Sequence, residues 1–400
     1  MKTKPYPFQL EGVKLINDFN GIVLLSDEMG LGKSLTSLLW INELPKERLP
    51  ALIVCPASLK YNWQNEARHH LGLRSEILEG QKCLMSLWQG NVPLTIINYE
   101  ILKYWLKYVY KLKPKTIILD EGHYLANPSA QRTRAVRKLC KEIPYKLILT
   151  GTPLTNRPIE LWSLVNILRP EVFPSRQIFG FRYCGARKAP WGWSFLGATR
   201  LPELHKILVD NCMIRRRMED VLSQLPKKRR IVIPLSLSKE DRGEYHKAST
   251  DFLSWISENK PERLSSAVRA EGLLKFGYLA RLIGRMKLPS VMEWIENFLC
   301  ESDEKLIVFT LHKKVIHTLR EKFPDVSTHV DGSITRKKRQ LSFEKFLSVK
   351  KCRLLFGNLR AAGVGWSGKG VSNVMFCEFC TVPGLHTQGE DRCIGIGRGQ

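Results

Sequence analysis

A glycine-containing loop that ends in lysine and serine lies between an apolar run and an amphipathic segment near the start of the chain. It reads Leu24-Leu-Ser-Asp-Glu-Met-Gly-Leu-Gly-Lys-Ser34. Such a loop, at the junction of a strand and a helix, suits phosphate because its backbone N–H groups and the helix N-terminus carry partial positive charge. We expect Lys33 to reach the β- and γ-phosphates of ATP and the Ser34 hydroxyl to hold Mg²⁺. Position 27 is aspartate where the generic phosphate-loop pattern has glycine, so a plain glycine turn is the alternative for this motif alone.

A pair of acidic residues follows another apolar run, in Thr116-Ile-Ile-Leu-Asp-Glu-Gly-His123. In an open α/β sheet the carboxyl ends of the strands face the ligand crevice. Asp120 would steady Mg²⁺, and Glu121 would orient and deprotonate the attacking water. An Asp-Glu pair on the surface is the alternative for this motif taken alone. Because both motifs stand at strand ends in one α/β region, together they predict ATP hydrolysis.

Short apolar runs alternate with amphipathic segments in the first part of the chain. These runs lack in/out alternation, which is typical of strands covered on both faces of a parallel sheet. Segments such as Lys33–Glu43 and Leu59–His70 would supply the crossover helices of a doubly wound α/β domain. The predicted strands are Ile22–Leu25, Ala51–Val54, Leu94–Ile97, Thr116–Leu119 and Leu147–Leu149.

A second α/β unit is predicted near the end of the sequence, with helices at Lys313–Lys322 and Arg336–Phe346. We therefore expect an α/β fold with two doubly wound parallel-sheet lobes, at 1–170 and 301–400. The stretch 171–300 is rich in charged and aromatic residues and is predicted to be a mostly helical insertion and linker. The strands predicted for the second lobe are Lys305–Phe309, Ser327–Val330, Arg353–Phe356 and Asn373–Phe376.

The formal net charge is +25, because 63 lysines and arginines outnumber 38 aspartates and glutamates. Such an excess indicates a polyanionic partner such as nucleic acid, and the alternative is a basic protein kept soluble by its charge. A hydrophobic content of 44% with 25% charged residues is ordinary for a globular protein. No run approaches the roughly 18 apolar residues of a membrane span, and the N-terminus predicts no signal peptide. Cys377-x-x-Cys380 lacks a second pair and lies in a strand-like run, which favours buried thiols over zinc.

The loop and the acidic motif are similar to motifs I and II of the Swi/Snf-type ATPases of helicase superfamily two, in which aspartate at the position of Asp27 is normal. The resemblance implies two RecA-like lobes that close on ATP and shift DNA contacts along a duplex. Further segments match in the family's order: Tyr6–Gly12 (adenine recognition), Cys55–Trp63 (motif Ia, DNA backbone), Leu149–Asn156 (motif III), Arg216–Pro226 (the segment joining the lobes), Ala361–Gly365 (motif V) and Gln388–Arg392 (motif VI).

The resemblance also implies roles for individual residues. Nucleotide contacts are expected from Gln9, Asp27, Glu28, Met29, Gly30, Leu31, Gly32, Lys33 and Ser34. DNA contacts are expected from Ser58, Lys60, Thr152 and Gly365, and coupling of hydrolysis to movement from His123 and Thr150. Arg392 would join Lys33, Asp120 and Glu121 as a catalytic residue.

Motif VI departs from the family pattern, because Gly395 stands where the family has its second arginine. An arginine at this position stabilises the charge of the transferring phosphoryl group. Arg398 would replace it if the loop carries an insertion, and an ATPase-impaired protein is the alternative. Relatives usually continue beyond this motif, so a truncated or minimal second lobe is expected.

Phe181–Trp193, followed by Leu201–His205, resembles the HepA-related annealing helicase (HARP) subfamily, which rewinds DNA and remodels stalled forks. The accessory repeats of that subfamily precede the ATPase, whereas this sequence begins at the ATPase. We predict a DNA-dependent ATPase that translocates on double-stranded or forked DNA and remodels or anneals branched DNA in replication or repair. A strand-separating helicase and an ATPase-impaired DNA-binding scaffold are the alternatives.

We expect a monomer that binds DNA regardless of base sequence, uses ATP and Mg²⁺, and has no membrane partner. Its location would be cytoplasmic and nucleoid-associated in a bacterial or viral setting, and nuclear in a eukaryote. Tyr183, Trp191 and Trp193 would stack on splayed bases or pack in the core of the insertion. The basic clusters that would neutralise phosphates are Lys103–Lys115, Arg182–Lys188, Arg215–Arg230 and Arg336–Arg339.

Overall fold

The computed structural model describes residues 4–81, 92–151, 157–190, 192–221, 229–235, 237–259, 271–359, 371–380 and 382–391. The chain divides into two compact units, Met1–Pro226 with Val382–Gly384, and Lys227–Thr381 with Leu385–Gln400. The stretch 171–300 is therefore shared between the two units. Within the described ranges, no helix combines the length and the apolar character needed to cross a bilayer.

A seven-stranded parallel sheet forms the centre of the first unit. Its strands are β1 Ile22–Leu25, β2 Ala51–Cys55, β3 Ser75–Ile77, β4 Leu94–Asn98, β5 Thr116–Asp120, β6 Tyr145–Leu149 and β9 Met213–Ile214. They are ordered β3-β4-β2-β5-β6-β1-β9, and every neighbouring pair is parallel. The parallel α/β lobe predicted from the sequence is confirmed.

Helices cover both faces of this sheet. They are α1 Pro7–Asp18, α2 Lys33–Glu43, α3 Pro45–Arg48, α4 Lys60–Glu66, α5 Leu102–Leu112, α6 Gln131–Cys140, α7 Pro158–Leu168, α8 Arg176–Tyr183, α9 Leu201–Asn211 and α10 Met218–Val221. The helix predicted at Lys33–Glu43 has both of its predicted ends. The helix predicted at Leu59–His70 is shorter, because α4 gives way to a π-helical turn at Ala67–Leu71. An antiparallel hairpin of β7 Arg187–Ala189 and β8 Gly192–Ser194 lies between α8 and α9.

The central strands of the first unit are mostly apolar because both faces of the sheet are buried, and β1 and β2 are apolar at every position. Leu52 and Val54 belong to one hydrophobic cluster, whereas Ile53 belongs to the cluster on the opposite face. β5 repeats the pattern, since Ile117 and Leu119 lie on the first face and Ile118 on the second. Successive side chains of a strand point to opposite faces, so a sheet sandwiched between helix layers selects continuous apolar runs.

The second unit has a four-stranded parallel sheet ordered β11-β12-β10-β13. Its strands are β10 Leu306–Thr310, β11 Ser327–Val330, β12 Leu354–Asn358 and β13 Asn373–Phe376. Val308 and Phe356 pack on one face, and Phe309 and Leu355 on the other. The helices are α11 Lys239–Thr250, α12 Phe252–Asn259, α13 Glu271–Met286, α14 Leu288–Glu301, α15 Lys313–Lys322, α16 Arg336–Ser348 and, for all but its first two residues, α17 Pro383–Glu390. The second parallel-sheet lobe is thereby confirmed as well.

We predict that Leu119→Ala lowers the free energy of unfolding of the first unit by about 2–5 kcal/mol, because it removes a fully buried side chain from the strand that ends at the acidic pair. The matched control is Leu10→Ala, whose leucine is 48% exposed and should cost no more than about 0.5 kcal/mol. Urea-induced unfolding of the two variants measures both values. Equal midpoints for them would contradict the assignment of β5 to the core.

Candidate active site

Three neighbouring strand ends bring the predicted motifs together. β6 lies between β5 and β1 in the sheet, so the acidic pair, the loop after β6 and the glycine loop share one edge. A Cβ atom placed on Gly151 would lie 2.4 Å from Met29 Cγ and 3.5 Å from Lys33 Nζ. The loop after β6 therefore touches the glycine loop, and a larger residue at position 151 would require the Met29 side chain to move.

The glycine loop turns into α2 through backbone conformations that favour glycine. Gly30 has φ +88° and Gly32 has φ +75°. Lys33 opens the helix, and its Nζ donates hydrogen bonds to the carbonyl oxygens of Asp27 at 2.8 Å and Glu28 at 3.3 Å. The Lys33 ammonium group is thus held at the N-terminus of α2. Its positive charge and the helix dipole both favour binding of an anion there.

The remaining predicted nucleotide residues have different surroundings. Ser34 follows in the first turn of α2, where a hydroxyl can face a ligand at the helix N-terminus. The side chain of Leu31 is fully buried, so only its backbone is available to a ligand. Gln9 is buried on α1, where its Oε1 accepts a hydrogen bond from the Tyr6 N–H at 3.0 Å and its Nε2 donates to the Leu31 carbonyl at 3.3 Å. Gln9 is therefore joined to the glycine loop, which suits a residue expected beside the adenine.

Asp120 is held by hydrogen bonds from two sides. Trp63 Nε1 donates to Oδ2 at 2.8 Å, and the backbone N–H of Glu121 donates to Oδ1 at 2.9 Å. Burial and the Glu121 carboxylate raise the pKa of Asp120 to about 7, against the lowering effects of the Trp63 hydrogen bond and the Lys33 charge. Sequence reasoning gave Trp63 no role, because its partner lies 57 positions away.

The donor set at this edge fits Mg²⁺. Each carboxylate oxygen of Asp120 accepts one hydrogen bond and keeps further acceptor capacity. A bound cation would favour the ionised form of Asp120, which burial otherwise opposes. Carboxylate and hydroxyl oxygens, as in Asp120 and Ser34, are the ligands that Mg²⁺ prefers.

Glu121 adopts an uncommon backbone conformation, with φ +53° and ψ +56°. A residue other than glycine in this left-handed region costs of the order of 1–3 kcal/mol, and such residues cluster at active sites. The Nδ1 atom of His123 lies 3.3 Å from Glu121 Oε2. Gly122 between them packs so tightly against β6 that an added Cβ would lie 2.3 Å from Ile148 Cγ2. The motif thus places the carboxylate of a residue with a strained backbone close to an imidazole.

The carboxylate of Asp27 is fully buried and is occupied by Arg216. The backbone N–H and Nε of Arg216 each donate to Asp27 Oδ1 at 3.0 Å, and its Nη2 pairs with Oδ2. Its Nη1 donates to the carbonyl oxygen of Phe8. Asp27 was predicted to contact nucleotide, but its side chain instead joins the glycine loop to the segment after β9.

The segment after β9 makes further contacts with the glycine loop. β9 extends the sheet beside β1, and the Ser26 N–H donates to the Ile214 carbonyl at 2.7 Å. Glu28 Oε2 accepts a hydrogen bond from the Met218 N–H at 2.7 Å. The carboxylate of Glu28, like that of Asp27, is thus directed to this segment, which sequence analysis assigned only to the joining of the lobes.

The predicted DNA and coupling residues are only partly accessible to a ligand. Ser58 lies in a short turn just after β2 and is partly exposed. Lys60 is 4% exposed, and its ammonium group donates to the Leu78 carbonyl at 3.0 Å, so its placement does not support a DNA contact. Thr150 is buried directly after β6. Four predicted site residues, Thr152, Gly365, Arg392 and Arg398, lie outside the described residues.

We predict that Arg216→Gln lowers the free energy of unfolding of the first unit by about 3–5 kcal/mol, because it leaves the Asp27 carboxylate buried without its counter-charge. The matched control is Arg217→Gln, since Arg217 is 66% exposed and its ion pair with Glu219 should contribute less than about 1 kcal/mol. Urea-induced unfolding measures both. Indistinguishable midpoints for the two variants would show that the pair is not needed.

The raised pKa of Asp120 makes stability depend on pH. Between pH 5 and 8 the unfolded chain has already released this proton, whereas the folded protein still binds it up to about pH 7. In the absence of nucleotide and Mg²⁺, the free energy of unfolding of the wild type should therefore fall as the pH rises from 5 to 8. This decrease should be about 2 kcal/mol larger than that of Asp120→Asn. Urea-induced unfolding at pH 5 and pH 8 tests this, and parallel pH profiles would refute it.

Comparison with known proteins gives one consistent family. The sequence model of the SNF2-related domain matches residues 8–342. The chain is 31% identical over 403 residues to the SWI/SNF-related matrix-associated actin-dependent regulator of chromatin subfamily A-like protein 1 of Xenopus tropicalis, over 98% of this chain and 41% of that protein. It is 32% identical over 405 residues to the Caenorhabditis elegans homolog of that protein, over 98% of this chain and 57% of the relative. It is 29% identical over 413 residues to the human DNA annealing helicase and endonuclease ZRANB3, over 100% of this chain and 37% of the relative. The chain thus spans about two fifths to three fifths of these relatives.

Among solved structures, the fold resembles a Sulfolobus solfataricus SWI2/SNF2 ATPase core in complex with dsDNA. The TM-score is 0.51 at 22% sequence identity, over 94% of this chain and 82% of that one. This likeness confirms the predicted fold class. Because the family match extends over most of the sequence and includes both motifs of the site, the chain belongs to the SNF2-related family.

Proposed function

We propose that this chain is a DNA-dependent ATPase that translocates on double-stranded or forked DNA and remodels or anneals branched DNA. One observation carries the proposal: the glycine loop with Lys33 and the Asp120–Glu121 pair lie at neighbouring ends of one parallel sheet, close enough for the Lys33 charge to act on Asp120. A lysine at a helix N-terminus beside a partly buried pair of carboxylates is the arrangement that phosphoryl transfer requires.

ATP and Mg²⁺ are the proposed ligands of this edge. Lys33 binds the β- and γ-phosphates, and Ser34 and Asp120 hold the cation, which neutralises phosphate charge. Glu121 accepts a proton from the water whose oxygen attacks the γ-phosphorus, while the bond to the β-phosphate oxygen breaks. His123, 3.3 Å from Glu121, positions that carboxylate. Arg392, with Arg398 in place of the missing motif VI arginine, is proposed to stabilise the phosphoryl charge.

DNA is the proposed track because of the charge of the chain and the names of its relatives. A net charge of +25 favours a polyanion over a neutral partner. One relative is named a DNA annealing helicase and endonuclease, and the others are named as regulators of chromatin. We propose sequence-independent binding by a monomer, and a nuclear location if the host is a eukaryote.

We predict that forked or duplex DNA stimulates phosphate release by the wild-type chain, and that Glu121→Gln lowers the stimulated rate by roughly 100- to 10,000-fold with ATP binding retained, because the water loses its general base. The matched control is Glu47→Gln, an exposed glutamate on α3, which should leave the rate unchanged. Phosphate release and equilibrium binding of a fluorescent ATP analogue measure the two effects.

Equal rates of ATP hydrolysis with and without DNA would contradict the proposal of a DNA-dependent translocase. Tight DNA binding without hydrolysis would support the ATPase-impaired scaffold. Release of a labelled strand from a fully paired duplex would support the strand-separating helicase instead of a translocase.

A further inference from the structure

Exposed aromatic and basic side chains lie together on α8 and the β7–β8 hairpin of the first unit. We define this hairpin surface by Phe181, Arg187, Lys188, Trp193 and Phe195. Trp193 is 50% exposed and Phe181 is 43% exposed, although both are large apolar residues. Exposed apolar groups that lie together, rather than singly, mark an interaction surface on a soluble protein.

The aromatic side chains of the hairpin surface support one another. Phe181 meets Trp193 edge-on, with ring centroids 4.7 Å apart and ring planes at 73°, and it meets Phe195 at 5.5 Å and 83°. Lys188 is the register partner of Trp193 in the antiparallel hairpin, so the two side chains lie side by side on one face. The indole of Trp193, held in place by Phe181, can stack on the flat base of a nucleotide, and the adjacent ammonium group of Lys188 can bind its anionic phosphate.

Core packing does not account for Trp193. The opposite side of α8 carries Phe179 and Tyr183, which are buried in the main hydrophobic cluster of the unit. The Tyr183 hydroxyl also donates to Glu203 at 3.1 Å, so this tyrosine has a structural role. The helix is thus apolar on two sides: one is buried in the core, and the other packs against Phe195 while leaving Phe181 and Trp193 about half exposed.

Positive charge around the hairpin surface is only partly balanced by acidic residues. Residues 175–200 include five lysines and arginines and no acidic residue. Arg182 pairs with Glu203 at 2.6 Å, and Arg200 approaches the same carboxylate. No ion pair with a described acidic residue is found for Arg187 or Lys188, and both are exposed.

A surface depression of about 290 Å³ adjoins the hairpin surface, with Trp193, Phe195 and Arg176 in its lining. A second depression of about 270 Å³ shares Arg176 and continues to Asn127, in the loop after the acidic motif. Glu160 lines only the second of the two, so phosphates are expected at the hairpin end. The space beside Trp193 is large enough for one nucleobase.

We propose that the hairpin surface binds unpaired nucleotides at the branch point of DNA, with a base stacked on Trp193 and the adjoining phosphates held by Arg187 and Lys188. The inference rests on the proposed function and extends it, because it names the part of a branched substrate that the first unit recognises. Aromatic stacking accepts any base, which suits sequence-independent binding.

The test uses the full chain and two labelled probes, a blunt duplex and the same duplex with a single-stranded oligothymidine arm. Trp193→Ala should weaken binding of the armed duplex by roughly 5- to 100-fold and leave the blunt duplex within about twofold. Trp193→Phe should restore most of the affinity, since a stacking surface returns. Phe276→Ala, which removes an exposed aromatic residue of the second unit, is the matched control and should change neither probe.

Salt dependence separates the two kinds of contact. Lys188→Ala should reduce the slope of log affinity against log salt by about 0.7 for the armed duplex, and Trp193→Ala should leave that slope unchanged. Equal loss on both probes, or no loss on either, would overturn the inference. DNA-stimulated hydrolysis by wild type, measured in parallel, tells the two failures apart: if it is present while Trp193→Ala binds normally, only the hairpin proposal fails.

Discussion

Parallel pairing of β5, β6 and β1 is the constraint on which the rest of the site depends. Asp120 is the register partner of Leu149, and Leu149 is the partner of Leu25, so the loops that carry the acidic pair and the glycines leave the sheet at the same level. The charge of Lys33 acts on Asp120 for this reason, although the two residues are far apart in sequence. A register slip of one residue would exchange the faces of β5 and remove Asp120 from its contact with Trp63.

The site costs stability locally, and the surrounding contacts offset that cost. Glu121 has a strained backbone and Asp120 carries a carboxylate that burial disfavours. Trp63 and the hydroxyl of Tyr99, which donates to the Asp120 carbonyl at 2.8 Å, fix the end of β5 from the neighbouring elements. On the other side of the edge, Arg216 fixes the glycine loop. Buried groups that must bind a cation or a phosphate are kept in place by partners that take no part in the chemistry.

Sequence patterns specified the elements well because each depends on local chemistry. Continuous apolar runs identified the strands, and the helix at Lys313–Lys322 ends where predicted. Long-range partners carry no such local signal. The aspartate at position 27 was a visible departure from the generic loop, yet its pairing with Arg216 spans 189 positions and follows only from the addition of β9 to the sheet. Likewise, the burial of Lys60 depends on the path of the chain around Leu78, which no spacing within its motif indicates.

The net charge of the chain overstates the charge that a polyanion can meet. Several lysines and arginines donate hydrogen bonds to acceptors inside the protein, because a buried carbonyl group must be paired with a donor. These cations are then not available to an external phosphate. Arg48 donates to Asn17 at 2.8 Å, and Lys60 donates to a carbonyl of its own unit. In the second unit, Arg353 donates to the Leu299 carbonyl at 3.0 Å. A basic residue indicates a nucleic-acid contact only where it is exposed and has no internal acceptor. Among the described residues of the first unit, Arg187 and Lys188 of the hairpin meet both conditions beside an aromatic ring.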